Sequence, residues 1–256
     1  MNGSEERSSM RKVRSVLQIL SVVALIYCIV LSFAVTIFAI KAFGDVRAAY
    51  ASVLDLKESA PAQSQFMKDL VDSNPKVNIR QSFIPLSKVS ENLKRAVIAG
   101  EDPGFYYHPG FDVRGIARAL ESNVASGKIL YGGSTITQQL AKNLFLTGKK
   151  TYERKVKELG FALLMEHELG KDRILELYLN YAQWGKSIFG CESASRVYFD
   201  KSCSDLNMEE SVKLSAMLMS PCNHTPDMVD SLIEGRRKII YRNLGSLVPA
   251  SSENSP

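Results

Sequence analysis

The sequence predicts a mainly α-helical globular domain preceded by one N-terminal transmembrane helix. Three observations carry this prediction. Residues 16–40 contain no charged side chain, apolar residues recur at helical spacing from residue 87 onward, and no segment alternates apolar and polar residues as a half-buried strand does. The 256 residues are 45% hydrophobic and 23% charged, which excludes a disordered or collagen-like chain.

The apolar run from Val16 to Ile40 is long enough to span a membrane. As a helix it measures about 37 Å, against about 30 Å of bilayer hydrocarbon. A cleaved signal peptide is the alternative, but its apolar region would be only about 7–15 residues long. Cations are concentrated in residues 7–14, whereas only Lys41 and Arg47 closely follow the run. The tail at 1–15 is therefore expected in the cytoplasm, and the chain from residue 41 outside it.

Residues 41–85 are predicted to form a stalk, because Pro61, Pro75 and Pro85 interrupt any long element. The globular domain is predicted over residues 86–246, and residues 247–256 are expected to form a flexible tail.

The helices of the domain are predicted from caps and apolar spacing. Ser90 is expected to cap a helix that ends near Gly100, and Asp112 a second that ends near Gly127. A third helix fits residues 136–145.

Thr151 is expected to open a long helix. Its Tyr152, Val156, Leu159 and Leu163 recur at offsets of 4, 7 and 11, which predicts one apolar face. Further helices are predicted at 171–181, 191–199, 209–219 and 227–244.

A first polar cluster lies in AGEDPGFYYHPGFD and contains Glu101, Asp102, Phe105 and His108. Two adjacent carboxylates follow a helix end and precede a Pro-Gly turn, so at least one is presented from a loop. Loops on rigid scaffolds often carry catalytic groups. A solvated turn with aromatic anchors is the alternative interpretation of this segment by itself.

A second cluster begins with a Gly-Gly turn at residues 132–133 and continues into a predicted helix. Free backbone donors and hydroxyls at a helix start suit an anion or a sugar. The GK[ST] ending of a nucleotide-binding loop is missing, which disfavours nucleotide hydrolysis. The polar residues of this cluster are Ser134, Thr135, Thr137, Gln138, Gln139, Lys142 and Asn143.

A third cluster places one carboxylate, Glu158, among cations. Arg154 and Lys155 lie four and three residues before it and can pair with it on one helix. Lys149 and Lys150 come just before that helix. A plain basic helix face is the alternative, in which these pairs contribute little stability.

Charge and cysteine spacing exclude two other classes of function. The net charge of +5 is small, and the basic residues form no recognisable nucleic-acid-binding motif, so nucleic-acid binding is not expected. The sequence contains no CxxC motif, so a zinc site is not expected. A single disulfide among Cys191, Cys203 and Cys222 is permitted in an oxidising compartment, but the sequence does not choose between them.

Four motifs carry a resemblance to a known family. The segments EDPGFYYHPG, GGSTITQQLAKN, RKVKE and KDRILELYLN, in this order and spacing, resemble the peptidoglycan glycosyltransferases of glycosyltransferase family 51. The similarity runs from about residue 96 to 221 and continues weakly through Arg236 and Arg237. The sequence most resembles the monofunctional biosynthetic peptidoglycan transglycosylases of Gram-negative bacteria, since the chain is too short for a transpeptidase domain.

The resemblance implies a lysozyme-like fold with a small membrane-proximal jaw, to which residues 111–131 correspond. It also implies polymerisation of lipid II by inverting transfer of the growing glycan strand to the 4-hydroxyl of N-acetylglucosamine, releasing undecaprenyl diphosphate. Such a reaction needs a base for the hydroxyl and positive charge for the departing diphosphate. The implied location is the bacterial inner membrane, with a cytoplasmic N-terminus and a periplasmic catalytic domain.

Roles for individual residues follow from the same resemblance. Glu101 is expected to be the general base and Glu158 a second acidic residue that assists the diphosphate, orients Lys155 or binds the acceptor. Substrate-binding residues are expected to be Ser134, Thr135, Gln138, Gln139, Lys142, Asn143, Lys150, Arg154 and Lys155. Structural support is expected from Asp102, Phe105, His108, Glu176 and Asn180.

Some expectations depart from the family pattern or stay open. Lys150 stands where Arg is usual, which keeps the charge but loses the bidentate fork for phosphate. Mg²⁺ or Mn²⁺ is an open cofactor because relatives respond to these ions, although the sequence shows no carboxylate cage. Proteins of wall synthesis and division are expected partners. The alternative functions are a glycan-cleaving lytic transglycosylase or muramidase, and a non-catalytic envelope scaffold.

Overall fold

The computed structural model describes residues 25, 27, 29–33, 35–36, 44–115, 117, 124, 133–148, 151–228 and 231–246. The chain divides into two compact units, Met1–Ala51 and Ser52–Pro256. In the first unit, every described residue is helical. Over the part of the chain that is described, none of the helices is both long and apolar enough to cross a bilayer. The predicted tails and most of the predicted anchor at 16–40 lie outside the described residues.

The second unit is predominantly helical, which confirms the predicted fold class at that level. Residues 52–58 are helical, and short 3-10 turns occupy Leu86–Lys88, Phe105–Tyr107 and Cys203–Asp205. The longer elements are α1 (Gln65–Ser73), β1 (Arg80–Gln81), α2 (Glu91–Glu101), α3 (Ile136–Phe145), α4 (Tyr152–Leu169), α5 (Lys171–Tyr181), β2 (Ile188–Phe189), α6 (Cys191–Phe199), α7 (Met208–Met217) and α8 (Ser231–Ser246).

Two helix groups meet at the end of α2. Helix α2 packs against α7 and α8, whereas α3 packs against α1, α4 and α5. The larger hydrophobic cluster takes Leu93 and Val97 from α2, while Ala96 and Ala99 on its other face join a smaller cluster with α7 and α8. The last residue of α2 therefore lies where both groups converge.

Most helix predictions are confirmed. The bounds of α3, α5 and α6 are those predicted, and α2, α7 and α8 differ by a few residues at their ends. Most of the helix predicted between Asp112 and Gly127 lies outside the described residues. The short parallel pair β1–β2, in which Arg80 aligns with Ile188, was not predicted, because two residues are too few for an alternating pattern.

The long helix α4 forms as predicted, but the predicted apolar face is not the packed one. Tyr152 is 94% exposed and Val156 is 72% exposed. The buried side chains of α4 are instead Glu158, Ala162 and Met165, at offsets of 4 and 7. Hydrophobic periodicity missed this face because a charged residue and an alanine occupy two of its three buried positions.

Residues 52–85 belong to the folded unit rather than to a separate stalk. Val53, Leu56 and Met67 are buried in the same cluster as the core of α5. The hydroxyl of Tyr181 donates a hydrogen bond to the carbonyl of Pro61. The compact unit thus begins at Ser52, well before the predicted boundary at residue 86.

Candidate active site

Glu101 is the last residue of α2, and its carboxylate is held on both oxygens. Oε1 accepts a hydrogen bond from Arg236 Nη2 at 2.7 Å, and Oε2 accepts one from Gln139 Nε2 at 2.8 Å. The side chain is 8% exposed. Each carboxylate oxygen can accept two hydrogen bonds, so each keeps room for one more donor such as a substrate hydroxyl.

Gln139 has a defined amide orientation. Its Oε1 accepts a hydrogen bond from the hydroxyl of Tyr178 at 3.1 Å, so its NH₂ group faces Glu101. Burial, followed by the negative charge of Glu101, raises the pKa of Tyr178 well above its usual value, so the phenol keeps its proton and remains a donor. The relay from Tyr178 through Gln139 therefore always presents a donor to the carboxylate.

Arg236 reaches Glu101 from α8, 135 residues further along the chain. Its side chain is 3% exposed. A carboxylate at a helix C-terminus faces the negative end of the helix dipole, and the guanidinium offsets that repulsion. Buried pairs of this kind are sensitive to the loss of either partner. Sequence reasoning did not assign Arg236 to the site.

Close packing of α8 on α2 brings Arg236 into place. A Cβ at Gly100 would lie 2.7 Å from Ser215 Oγ and 3.2 Å from Ile240 Cγ1. The amide of Asn243 donates a hydrogen bond to the carbonyl of Ala99 at 2.8 Å, which satisfies a free acceptor in the last turn of α2. Glycine is required here for close approach.

Asp102 and His108 bind the first loop to α3. The Oδ2 atom of Asp102 accepts a hydrogen bond from the backbone N–H of Ile136 at 3.0 Å, at the positive end of α3. His108 Nδ1 accepts from the N–H of Gly110 at 3.1 Å, so Nε2 carries the proton and donates to Asp102 at 2.9 Å. Asp102 is buried and fully engaged in these contacts.

Phe105 anchors the same loop in the core. Its ring is fully buried, and Lys171 Nζ lies 4.6 Å from its centroid. The same ammonium donates to the carbonyl of His108 at 2.7 Å and pairs with Glu166 at 2.7 Å. The loop after Glu101 is therefore held by charge as well as by packing.

Helix α3 begins with a capping box. Thr135 Oγ1 accepts from the N–H of Gln138 at 3.1 Å, and Gln138 Oε1 accepts from the N–H of Thr135 at 3.1 Å. The Thr135 hydroxyl also donates to the carbonyl of Gly110 at 2.8 Å, where a φ of 92° requires glycine. Thr135 and Gln138 are buried, and their polar atoms serve the helix start. Neither residue is in the lining of the cavity beside Glu101, and their substrate-binding role stays a prediction.

A cavity of about 290 Å³ lies beside Glu101 and is lined by three cations and one carboxylate. Gln139 contributes to its wall and also donates to Glu101, so the cavity and the Glu101 carboxylate share a side chain. The lining residues are Phe66, Ser134, Gln139, Lys142, Leu146, Thr147, Gly148, Arg154, Lys155 and Glu158.

Glu158 organises the cations of the cavity. It is buried and accepts a hydrogen bond from Arg154 Nη1 at 2.8 Å and another from Lys155 Nζ. Lys155 Nζ also donates to Ser134 Oγ at 3.0 Å, which ties α4 to the start of α3. One buried carboxylate thus holds two cations at the cavity wall.

Lys142 is half-buried in the wall of the cavity. Burial lowers its pKa, and the nearby charges of Arg154 and Lys155 lower it further, while Glu158 and Glu101 act in the opposite direction. Its ammonium therefore responds to both carboxylates. A bound anion would stabilise the charged form.

Three other predicted residues, Asn143, Glu176 and Asn180, are not in the lining of this cavity. Asn143 is half-buried on α3. Lys149 and Lys150 lie outside the described residues. Glu176 and Asn180 bind the backbone of residues 84–86: Glu176 Oε1 accepts from Leu86 N at 2.8 Å, and Asn180 exchanges two hydrogen bonds of 2.9 Å with Ile84.

Metal binding is not favoured by the donor set. Among the residues that the structure describes, no group of three or more His, Cys, Asp or Glu side chains is placed to hold an ion. Both Glu101 and Glu158 are already paired with cations, which repel Mg²⁺ or Mn²⁺. These residues do not fit a resident divalent metal.

Comparison with known proteins places this site in a family. The family model described as Transglycosylase matches residues 68–245. A biosynthetic peptidoglycan transglycosylase of Thiobacillus denitrificans is 44% identical over 66% of this chain and 73% of its own length. A protein of the same description in Herminiimonas arsenicoxydans is 39% identical over 73% of this chain and 82% of its own length. Another, in Chromobacterium violaceum, is 46% identical over 64% of this chain and 74% of its own length. The resemblance predicted from the four motifs is confirmed, and the chain belongs to the transglycosylase family.

Proposed function

We propose that this protein is a peptidoglycan glycosyltransferase that polymerises lipid II into glycan strands. Its relatives are described as biosynthetic peptidoglycan transglycosylases. One observation carries the proposal beyond the family. A carboxylate held on both oxygens adjoins a cation-lined cavity, and Gln139 belongs to both. An inverting transfer with a diphosphate leaving group needs this combination of base and positive charge.

Glu101 acts as the general base in the proposed reaction. It takes the proton from the 4-hydroxyl of the acceptor N-acetylglucosamine as that oxygen attacks the anomeric carbon of the growing strand. The bond from that carbon to the diphosphate breaks, and its electron pair leaves with undecaprenyl diphosphate. Arg236 and Gln139 position the carboxylate but do not take the proton, since both are donors to it.

Lys142, Arg154 and Lys155 stabilise the departing diphosphate. A diphosphate leaves as a stable anion, so it needs positive charge rather than a second protonating acid. Glu158 is paired with Arg154 and Lys155. Of its three expected roles, this pairing favours orienting the cations over assisting the diphosphate directly or binding the acceptor. Lys150 is proposed as a further diphosphate contact on the basis of its motif position alone.

The catalytic domain is proposed to lie in the periplasm, held at the inner membrane by residues 16–40 with the N-terminus in the cytoplasm. The charge-free apolar run and the cations before it support this orientation. The exposed apolar side chains of α4, Tyr152 and Val156, lie on the helix that carries the diphosphate cations. A lipid-facing surface beside the donor site accounts for their exposure.

The protein is further proposed to be monofunctional, with no transpeptidase activity. Its substrates are lipid II and the growing strand, and wall-synthesis and division proteins are its proposed partners. No step of the reaction is assigned to Mg²⁺ or Mn²⁺, because the carboxylates of the site are committed to cations.

The test is incubation of the detergent-solubilised full chain with labelled lipid II or, separately, with preformed glycan strands. We expect polymer from lipid II that a muramidase digests, and no shortening of the preformed strands. Shortened strands without polymer would favour the glycan-cleaving alternative. No change in either substrate would favour a non-catalytic scaffold.

A further inference from the structure

Two buried thiols lie side by side where α6 meets the 3-10 turn Cys203–Asp205. The Sγ atoms of Cys191 and Cys203 are 3.3 Å apart, and both residues are 0% exposed. Cys222, the third cysteine after the apolar run, is exposed. The structure therefore brings together one pair out of the three that the sequence permits.

We propose that Cys191 and Cys203 form a disulfide in the mature protein. The inference rests on the proposed location outside the cytoplasm, because disulfides persist in oxidising compartments. A disulfide bond is about 2.05 Å long, so the two sulfurs need to approach by about 1.3 Å.

The surrounding contacts hold both cysteines in place. Cys191 is the first residue of α6, and its neighbour Glu192 points across to the turn. Glu192 Oε2 accepts from the N–H of Cys203 at 2.8 Å and from the hydroxyl of Ser202 at 3.0 Å. The backbone of Cys203 is therefore fixed beside α6 by hydrogen bonds that do not involve sulfur.

The folded environment indicates when the bond forms. The hydrogen bond with Cys191, burial and the charge of Glu192 all raise the pKa of Cys203. The thiolate is the reactive form, so the buried pair reacts slowly once folding is complete. The cross-link therefore forms on the incompletely folded chain and is shielded from reductants afterwards.

The exchange balances with a dithiol oxidase in its disulfide form as the oxidant. One cysteine thiolate attacks the oxidant's disulfide, forming a mixed disulfide and releasing the first oxidant thiol. The second cysteine then attacks the mixed disulfide and releases the second oxidant thiol. Two cysteine thiols are oxidised to one disulfide, and one oxidant disulfide is reduced to two thiols.

The cross-link would stabilise the segment that supports the start of α2. The carbonyl of Cys203 accepts from the N–H of Ser90 at 3.2 Å, and the Ser90 hydroxyl donates to the carbonyl of Leu206 at 2.8 Å. Ser90 caps α2, whose other end carries Glu101. The expected effect is on stability, with the site itself unchanged.

The direct test is peptide mapping of the full chain, alkylated with a maleimide while it is extracted from the membrane and denatured. Trypsin separates Cys191 and Cys203, because Arg196 and Lys201 lie between them. We expect peptides 187–196 and 202–213 to be joined, with a mass two hydrogens below their sum, and to separate on reduction. Recovery of both peptides as alkylated thiols would overturn the inference.

Cys222 provides an internal control for location. A membrane-impermeant maleimide applied to cells with a permeabilised outer membrane should label it if the domain is outside the cytoplasm. If the cross-link is absent and Cys222 is labelled, the disulfide is refuted while the proposed location stands. If neither the cross-link nor the labelling of Cys222 is observed, both the disulfide and the proposed location are refuted.

Thermal unfolding supplies an independent readout. Wild type that has been unfolded, reduced and refolded in reductant should have a Tm about 6–12 °C below that of the untreated protein, as expected for a cross-link over a short loop in a domain of this size. Cys203→Ala should show no such response, whereas Cys222→Ser should respond as the wild type does. An equal Tm of the untreated wild type and of the reduced and refolded wild type contradicts the proposal.

Discussion

Replacement of Arg236 tests how the Glu101 carboxylate is held. Arg236→Met keeps the length and apolar stem of the side chain but removes the charge. Glu101 would then lie 8% exposed at a helix C-terminus without its cation. Loss of one partner of a buried pair costs about 3–5 kcal/mol, and with both side chains so little exposed we apply no reduction for solvent screening.

The same variant should reduce catalysis through kcat rather than KM. Gln139 alone would hold the carboxylate, and a misplacement of about 1 Å costs about 100-fold in rate. The assays are denaturant unfolding and polymerisation of lipid II at several concentrations. In a Glu101→Gln background, Arg236→Met should cause little further loss of rate, because the group that it positions is already gone.

Arg237→Met is the matched control on the same helix. Arg237 pairs at 2.8 Å with Glu234, whose side chain is 42% exposed, and also donates a hydrogen bond to the carbonyl of Pro226. Its loss should therefore lower stability by about 1–2 kcal/mol without changing kcat, since neither partner contacts Glu101. Arg236→Lys should recover part of the lost activity, because it retains the charge. A stability change below about 0.5 kcal/mol together with an unchanged kcat in Arg236→Met would refute the positioning role.

Three further predictions concern the surroundings of the site. Because burial lowers the pKa of Lys142, the affinity for lipid II should begin to fall at a lower pH than it would with a solvent-exposed lysine. Lys142→Arg should move that fall to higher pH, because arginine keeps its charge. Identical pH profiles of KM for the two proteins would contradict this prediction. Gly100→Ala should push both α7 and α8 away from α2, costing about 1–3 kcal/mol in denaturant unfolding and lowering kcat, and a variant with unchanged stability would refute the close approach. Asp102→Asn should destabilise the protein by about 1–3 kcal/mol, because an NH₂ group would replace one of the two oxygens that face the Nε2–H donor of His108 and cannot accept from it. An unchanged Tm would contradict the anchoring role of Asp102.

Local signals made much of the fold predictable. Helix α3 begins at a Thr135–Gln138 capping box, and α5 follows Gly170, so both starts are encoded within a few residues. The motifs likewise singled out Glu101 and Glu158, and the charges of both carboxylates act against the burial that lowers the pKa of Lys142, while their catalytic roles stay predictions.

The rest depends on contacts between distant parts of the chain. Nothing near Arg236 in the sequence indicates a partner 135 residues away, because α8 carries five charged residues and Arg236 does not stand out among them. The packed face of α4 was missed because its buried Glu158 is compensated by cations, which hydrophobic periodicity does not register. Burial of polar groups is decided by their partners, and those partners are known only in the folded chain.

The central claim is that Glu101 is the base of a polymerising transfer. It is tested most directly by Glu101→Gln in the full-length protein, assayed for glycan polymer from purified lipid II and for lipid II binding. We expect polymerisation to fall by about 100-fold or more, with binding within a few-fold of the wild type. Glu91→Gln is the control, since that carboxylate is 77% exposed at the other end of α2. Near-normal polymer from Glu101→Gln would contradict the claim.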